Sequence, residues 1–336
     1  MRKLTIIAEI AQGFEGKPAQ AAALLVAGAA AGADAVKFQL VYADELAAPD
    51  YAHFKLFQGL EMPDAVWADL ARLAREKGTQ LHLDVFGPRS LALAERVEAG
   101  AVKIHSTDMA NVGFIRGVAQ SAVGEVLLSC GGCHRDEIFQ AIEILHAKQL
   151  VLLHGFQGYP TPVTANQIAR LVTLADLHAA ATVRIGFADH APEDDPLRFL
   201  LPVAAIGAGA TVLEKHLTLA RILKLEDHES AMNPDEFGQF VAQARACFSA
   251  MGAAVGGTAD FGMSREEADY RRKVRKHVVA LRDLAAGSVL TPADLGLKRT
   301  SSTEACDDLA LVYGRRLNVA ARRDQAISRT MLEGSQ

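Results

Sequence analysis

Apolar and polar positions along the chain fall into a repeating unit. Short apolar runs occupy residues 4–10, 35–41, 80–86, 101–106, 125–130, 150–156, 183–190 and 211–217. Runs this short and this apolar predict strands buried on both faces of a parallel sheet. Between them lie stretches with apolar residues at helical spacing, such as DAVWADLARLAREKG at 64–78 and DEIFQAIEILHAKQ at 136–149. The last such stretch, 233–252, opens with Asn-Pro-Asp-Glu, a helix-start signature, and stops at Gly252. Eight strands, each followed by a helix, over about 250 residues predict an α/β fold of the (β/α)8 TIM-barrel type. A doubly wound sheet would alternate too, but no glycine fingerprint for a dinucleotide follows the first strand.

The pattern breaks after residue 252. Residues 253–275 are rich in glycine and then in charge, and are expected to be a linker. Residues 276–336 carry short β-like pieces separated by turn chemistry in AAGSVLTPAD. A second domain of that size buries little core of its own, so it is expected to lean on the barrel or on a partner subunit.

Composition narrows the function classes. Half of the residues are hydrophobic, aromatics make up 6%, and the net charge is −5, with no basic stripe to bind nucleic acid. No apolar run reaches the roughly 18 residues needed to span a bilayer, and Glu9 interrupts the first one before it could act as a signal peptide. Four cysteines in a chain of 336 residues are no disulfide framework, and a cytoplasmic protein is expected. The Cys130-Gly-Gly-Cys133 pair is read as reduced thiols lining a tight loop, ahead of a redox or zinc role.

Polar residues gather where the strands end, which in such barrels is the active-site face. In chain order these are Glu9; Lys37 and Gln39; Asp84; Lys103, Ser106 and Asp108; Ser129; His154, Gln157 and Tyr159; Asp189 and His190; and Glu214, Lys215 and His216. A single buried polar pair can serve packing alone, but a contribution from all eight strands predicts an enzyme. Two lysines with serines suit an anionic substrate, phosphate or carboxylate. His190 and His216 on neighbouring strands suit a divalent metal, and His190 serves equally as a hydrogen bonder. His105 is left outside this set.

The blocks IAEI (7–10), AVKFQ (35–39), KIHSTD (103–108), LLHGFQGYPTP (152–162), GFADH (186–190), LEKHLTL (213–219), EDHES (226–230) and NPDEF (233–237) resemble the sialic acid synthase family, which includes spore-coat polysaccharide relatives. VVALRDLAAGSVLTPADLGLKR at 278–299 resembles that family's antifreeze-like (SAF, β-clip) domain. The resemblance implies condensation of phosphoenolpyruvate with an N-acylated aminosugar to a nonulosonic acid and phosphate. By position, Lys37, Lys103, Ser106 and Ser129 would bind phosphoenolpyruvate, and Gln39, Tyr159 and Asp227 the sugar or its reacting end. His190 and His216 would ligate Mn²⁺, with Mg²⁺ as the alternative, and Glu9 would sit beside the ion. Asp227, Glu9 and His216 would be the catalytic groups, while Asp108, Gln157 and Asp189 join the substrate-facing set as strand-end residues. Arg299 would reach the sugar from the neighbouring subunit of a domain-swapped homodimer.

The chain departs from the family pattern at a few places. Gly13 and Phe14 replace an Asn-His pair, Asp84 stands where the family has threonine, and Ala188 where it has serine. Gln157 replaces an asparagine, and the SCGG of 129–132 replaces STGM. An acid at position 84 repels a dianion unless it is protonated, paired or turned away. The competing reading is a non-catalytic, sugar-binding descendant; retention of both lysines, both histidines and Asp227 argues for the enzyme.

Overall fold

Each of the eight apolar runs forms a strand: β1 Thr5–Ala11, β2 Ala35–Gln39, β3 Gln80–Val85, β4 Ala101–Ile104, β5 Glu125–Ser129, β6 Gln149–Gly155, β7 Val183–Asp189 and β8 Val212–His216. The computed structural model describes residues 3–155, 158–177, 183–252 and 261–334. Neighbouring strands pair in parallel, and β8 returns to β1 in the register Thr5↔Val212 to Glu9↔His216, closing a TIM barrel. Among the described residues, closure leaves the barrel itself without a strand edge.

Alternation along the strands sorts their side chains. Ile7, Ala35, Ala101, Leu127, Val151 and Val212 form an apolar layer of their own, separate from the larger cluster shared by strands and helices. In that larger cluster Trp67, on helix Asp64–Glu76, packs edge-on against Phe14 and Phe38 at centroid distances of 5.8 and 6.1 Å. Phe14 is thus core, and its departure from the family pattern belongs to packing.

Two local expectations change. The helix foreseen over 136–149 spans Arg135–Ile144. Lys148 turns to donate to the carbonyls of Ser121 and Val123 at 2.6 and 2.8 Å, and Gln149 already begins β6. The loop after β2 carries two short helices, Ala43–Leu46 and Phe54–Leu60, which the apolar pattern did not announce.

The chain divides into two compact units, Met1–Ala253 and Ala254–Gln336. Within the second, residues foreseen as linker form helix Arg265–Val274. Ser264 and Glu267 make a reciprocal capping box at its start, and Arg271, Arg272 and Lys273 complement the helix dipole at its end. The remainder is an antiparallel pair, β9 His277–Ala280 and β10 Leu295–Lys298, with isolated bridges around a core that includes Val278, Leu290, Val312, Leu317 and Ile327. No helix among the described residues is long and apolar enough to cross a membrane.

Trp67 is the largest of the fully buried side chains. Its truncation in Trp67→Ala is expected to cost about 3–5 kcal/mol, read as a lowered urea midpoint with an unchanged slope.

Candidate active site

Two residues above the apolar layer, the same alternation turns charged groups inward. Strand register sets Glu9 beside Lys37, Asp84 beside both Gln39 and Lys103, and Glu9 beside His216. Lys37 Nζ lies 2.6 Å from Asp84 Oδ1 and 3.6 Å from Glu214 Oε2, and it contacts Glu9 Oε2 more closely still. Lys103 Nζ lies 2.7 Å from Glu214 Oε1, with Asp84 Oδ2 at 3.9 Å and Glu9 Oε2 at 4.0 Å. All five side chains are buried.

Buried charge persists only where it is matched. Here two ammonium groups face three carboxyls. Burial pushes the Glu9 carboxyl up to about 8; Glu214 and Asp84 push the same way, against the pull of Lys37. Glu9 therefore carries a proton at neutral pH, and the cluster balances two positive with two negative charges. Burial opposes ionisation of Glu214, but Lys103 and Lys37 outweigh it and hold that carboxyl well below its usual range. Burial likewise opposes the Lys37 ammonium, and Asp84, then Glu214, hold it charged.

Beside this cluster stand two histidines. The rings of His190 and His216 are 5.1 Å apart, and Tyr159 lies edge-on to both, at 5.9 and 5.7 Å. Burial, then Lys103, pushes the His190 imidazole down to about 3; burial, then His190, holds His216 well below its ordinary value. Both are neutral at pH 7, the form that ligates metals. Among the described residues no group of three or more His, Cys, Asp or Glu is arranged to hold an ion. The donor set is thus two neutral imidazoles, which fits a borderline cation whose other positions are taken by substrate or water.

Loops bring the remaining groups to the mouth. Gly155 ends β6 at φ +152°, where an added Cβ would lie 2.1 Å from the Ala188 carbonyl oxygen, so glycine alone lets the chain pass β7 toward Tyr159. The Tyr159 hydroxyl donates to the Asp227 carbonyl. Asp227 sits in the left-handed region at φ 64°, and its Oδ2 accepts the Gln12 N–H at 3.0 Å. Gln12 Nε2 in turn donates to Gln39 Oε1 at 2.9 Å. Burial pushes the Asp227 carboxyl up to about 6.

Not every foreseen residue joins this constellation. Asp189 lies one position out of phase with the inward-facing Ala188 and His190; its Oδ2 is 3.1 Å from Lys215 Nζ and its Oδ1 accepts the Ala191 N–H. The structure thus turns Asp189 away from the inward-facing cluster, contrary to its place in the foreseen set. Ser129 ends β5, while Ser106 and Asp108 bound a single turn of 3-10 helix after β4. Gln157 lies outside the described residues. Arg299, in the second unit, is exposed and donates to the Val274 carbonyl at 3.2 Å.

Other residues enter unforeseen. His105, two residues past Lys103, lines a cavity of about 780 Å³ at the barrel mouth with Gln12, Gln39, Tyr51, Phe57 and Phe86. The signal for His105 was in the alternation itself. Nothing local announced Tyr51 and Phe57, which stack at 5.9 Å in the loop after β2. Cys130 and Cys133 are free thiols whose pKa burial raises, Cys133 to about 11, so neither is a thiolate at neutral pH.

The proton on Glu9 has a measurable consequence. Its carboxyl rises from 4.5 to about 8 on folding, so across that window the folded protein keeps a proton that the unfolded chain releases. This contribution to stability is present below about pH 4.5 and is lost as pH rises toward 8, by up to about 1.4 kcal/mol per unit. Glu9→Gln has no such proton. In urea denaturation at about pH 5.5 and about pH 7.5, the wild type is expected to lose stability relative to Glu9→Gln at the higher pH. A gap that stays constant would mean that Glu9 is ionised in the fold.

Comparison with known proteins agrees with this architecture. The model of the NeuB family matches residues 24–256, and that of the SAF domain matches residues 275–333. The N,N'-diacetyllegionaminic acid synthase of Legionella pneumophila is 28% identical over 335 residues, covering 94% of this chain and 90% of that protein. The spore coat polysaccharide biosynthesis protein SpsE of Bacillus subtilis is 32% identical over 250 residues, covering 70% of this chain and 65% of that protein. The N-acetylneuraminic acid synthetase of Leptospira borgpetersenii shares the fold, with a TM-score of 0.71 at 24% identity over 81% of this chain and 93% of that one. By the span of the family match and the barrel that carries it, the chain belongs to the NeuB family and bears a SAF domain in its C-terminal part.

Proposed function

We propose that the chain condenses phosphoenolpyruvate with an N-acylated aminosugar aldose, giving a nonulosonic acid and phosphate. The observation that carries this reading is a balanced, buried lysine–carboxylate cluster beside two neutral histidines, with Tyr159 and Asp227 brought to the same face. The Legionella relative is by its name a synthase of N,N'-diacetyllegionaminic acid, which supports an acylated amino sugar as acceptor.

The chemistry divides between residues already placed. Lys103, with the Ser106 and Ser129 hydroxyls, would hold the phosphate and carboxylate of phosphoenolpyruvate. Its C3 attacks the aldehyde carbon, water adds to the resulting cation at C2, and phosphate leaves. A divalent ion such as Mn²⁺, held by His190 and His216, would supply positive charge at the aldehyde oxygen. Asp227, whose carboxyl lies near 6, would exchange the proton that the aldehyde oxygen needs as it becomes a hydroxyl. Gln39 and Tyr159 would fix the sugar against that group, so that much of the rate comes from positioning. Arg299 would cover the sugar from the partner subunit of a homodimer working in the cytoplasm.

Phosphate release from phosphoenolpyruvate, with Mn²⁺ and a panel of N-acylated aminosugars, tests the reading. Release is expected only with an aldose present, absent in His216→Ala and reduced about 10²–10⁴-fold in kcat in Asp227→Asn. Release independent of any sugar, or untouched by both substitutions, would refute it. Sedimentation is expected to give the mass of a dimer; a monomer at micromolar concentration would remove the partner's Arg299 from the site.

A further inference from the structure

The two lysines of the cluster look equivalent in the sequence and are not equivalent in the structure. An ammonium has three donors. At Lys37 they face Glu9, Asp84 Oδ1 at 2.6 Å and Glu214 Oε2 at 3.6 Å, and the side chain is 0% exposed. At Lys103 one carboxylate lies within hydrogen-bond distance, Glu214 at 2.7 Å; the other two stand off at 3.9 and 4.0 Å, and the side chain is 7% exposed.

The position of Asp84 accounts for the difference. Its Oδ1 lies on Lys37 and its Oδ2 points toward Lys103, so the carboxylate spans the two ammonium groups. That is the place an external carboxylate or the edge of a phosphate would take in bridging them. Asp84 is 1% exposed and its backbone is held in register between Gln39 and Lys103, so the carboxylate is seated between the two ammonium groups and away from solvent. A substrate anion arriving here meets a fixed negative charge a few ångströms off in a low-dielectric site, and the two repel.

We propose that Asp84 is a resident anion that withholds Lys37 from the substrate, leaving Lys103 to meet the incoming phosphate or carboxylate and making Asp84 the residue that sets anion affinity. Lys37 becomes a positioning residue that holds Glu9 and Asp84 in place. The inference rests on the reading of this face as the site of a phosphoenolpyruvate-like anion, and it departs from the role the family resemblance gives to Lys37.

The test is calorimetric titration of phosphoenolpyruvate, and separately of inorganic phosphate, into the full-length wild type, Asp84→Thr, Asp84→Asn and the double variant Lys37→Gln/Asp84→Thr. Thermal melts establish that each is folded. Asp84→Thr is expected to tighten both ligands about tenfold or more, the scale of one charge-assisted hydrogen bond. The isosteric Asp84→Asn moves the same way by less, and the double variant loses the gain. Unchanged or weaker binding in Asp84→Thr overturns the proposal, as does a gain that survives without Lys37. If the variants bind in the expected order yet none releases phosphate with any aldose, the proposed reaction fails and this inference stands. If the wild type turns over and Asp84→Thr binds no tighter, the reaction stands and this inference fails.

Discussion

Charge balance at the centre of the barrel is the constraint on which the rest of the structure depends. Five ionisable side chains are held away from water within about one ammonium's reach of each other. None could be buried alone, because an unmatched charge there costs several kcal/mol. The apolar layer of Ile7, Ala35, Ala101, Leu127, Val151 and Val212 supports the cluster, and strand register fixes which carboxyl meets which ammonium. A slip of one residue in any of these strands would turn its charge toward the helices and its apolar neighbours toward the mouth. The site therefore enforces the fold as much as the fold positions the site.

The same electrostatics sets the chemistry next door. Burial, and behind it the neighbouring ring and the lysine ammonium groups, disfavours positive charge here, so His190 and His216 remain neutral imidazoles, able to act as ligands. The Asp227 carboxyl, with no ammonium at hydrogen-bond distance among the described residues, is raised by burial into the range where a proton moves readily at neutral pH. One barrel mouth thus holds ammonium groups, a pair of neutral imidazoles and a carboxyl raised toward neutrality, kept distinct by their surroundings.

Strand order, barrel closure and most inward-facing groups were legible in the sequence, because each strand's alternation is a local property that two or three residues reveal. Lys37, Lys103 and Glu214 each lie two residues past a residue of the apolar layer, and reading that phase consistently would also have found His105 and rejected Asp189. What failed was what depends on distant contacts. The Arg265–Val274 helix hides in a charged stretch until its Ser264–Glu267 capping box is recognised. Tyr51 and Phe57 reach the mouth only because the loop after β2 folds on itself, and no periodicity marks that. Asp84 could be seen as a misfit for an anion site, but its span across the two ammonium groups depends on the β2–β3–β4 register, which a single strand does not encode.

A crystal structure of the protein grown with phosphoenolpyruvate would test the account most directly. The anion is expected on Lys103 and Ser129, beside His190 and His216, with Lys37 still held by Asp84 and Glu9. Phosphoenolpyruvate seated on Lys37 with Asp84 displaced, or bound away from the barrel mouth altogether, would contradict it.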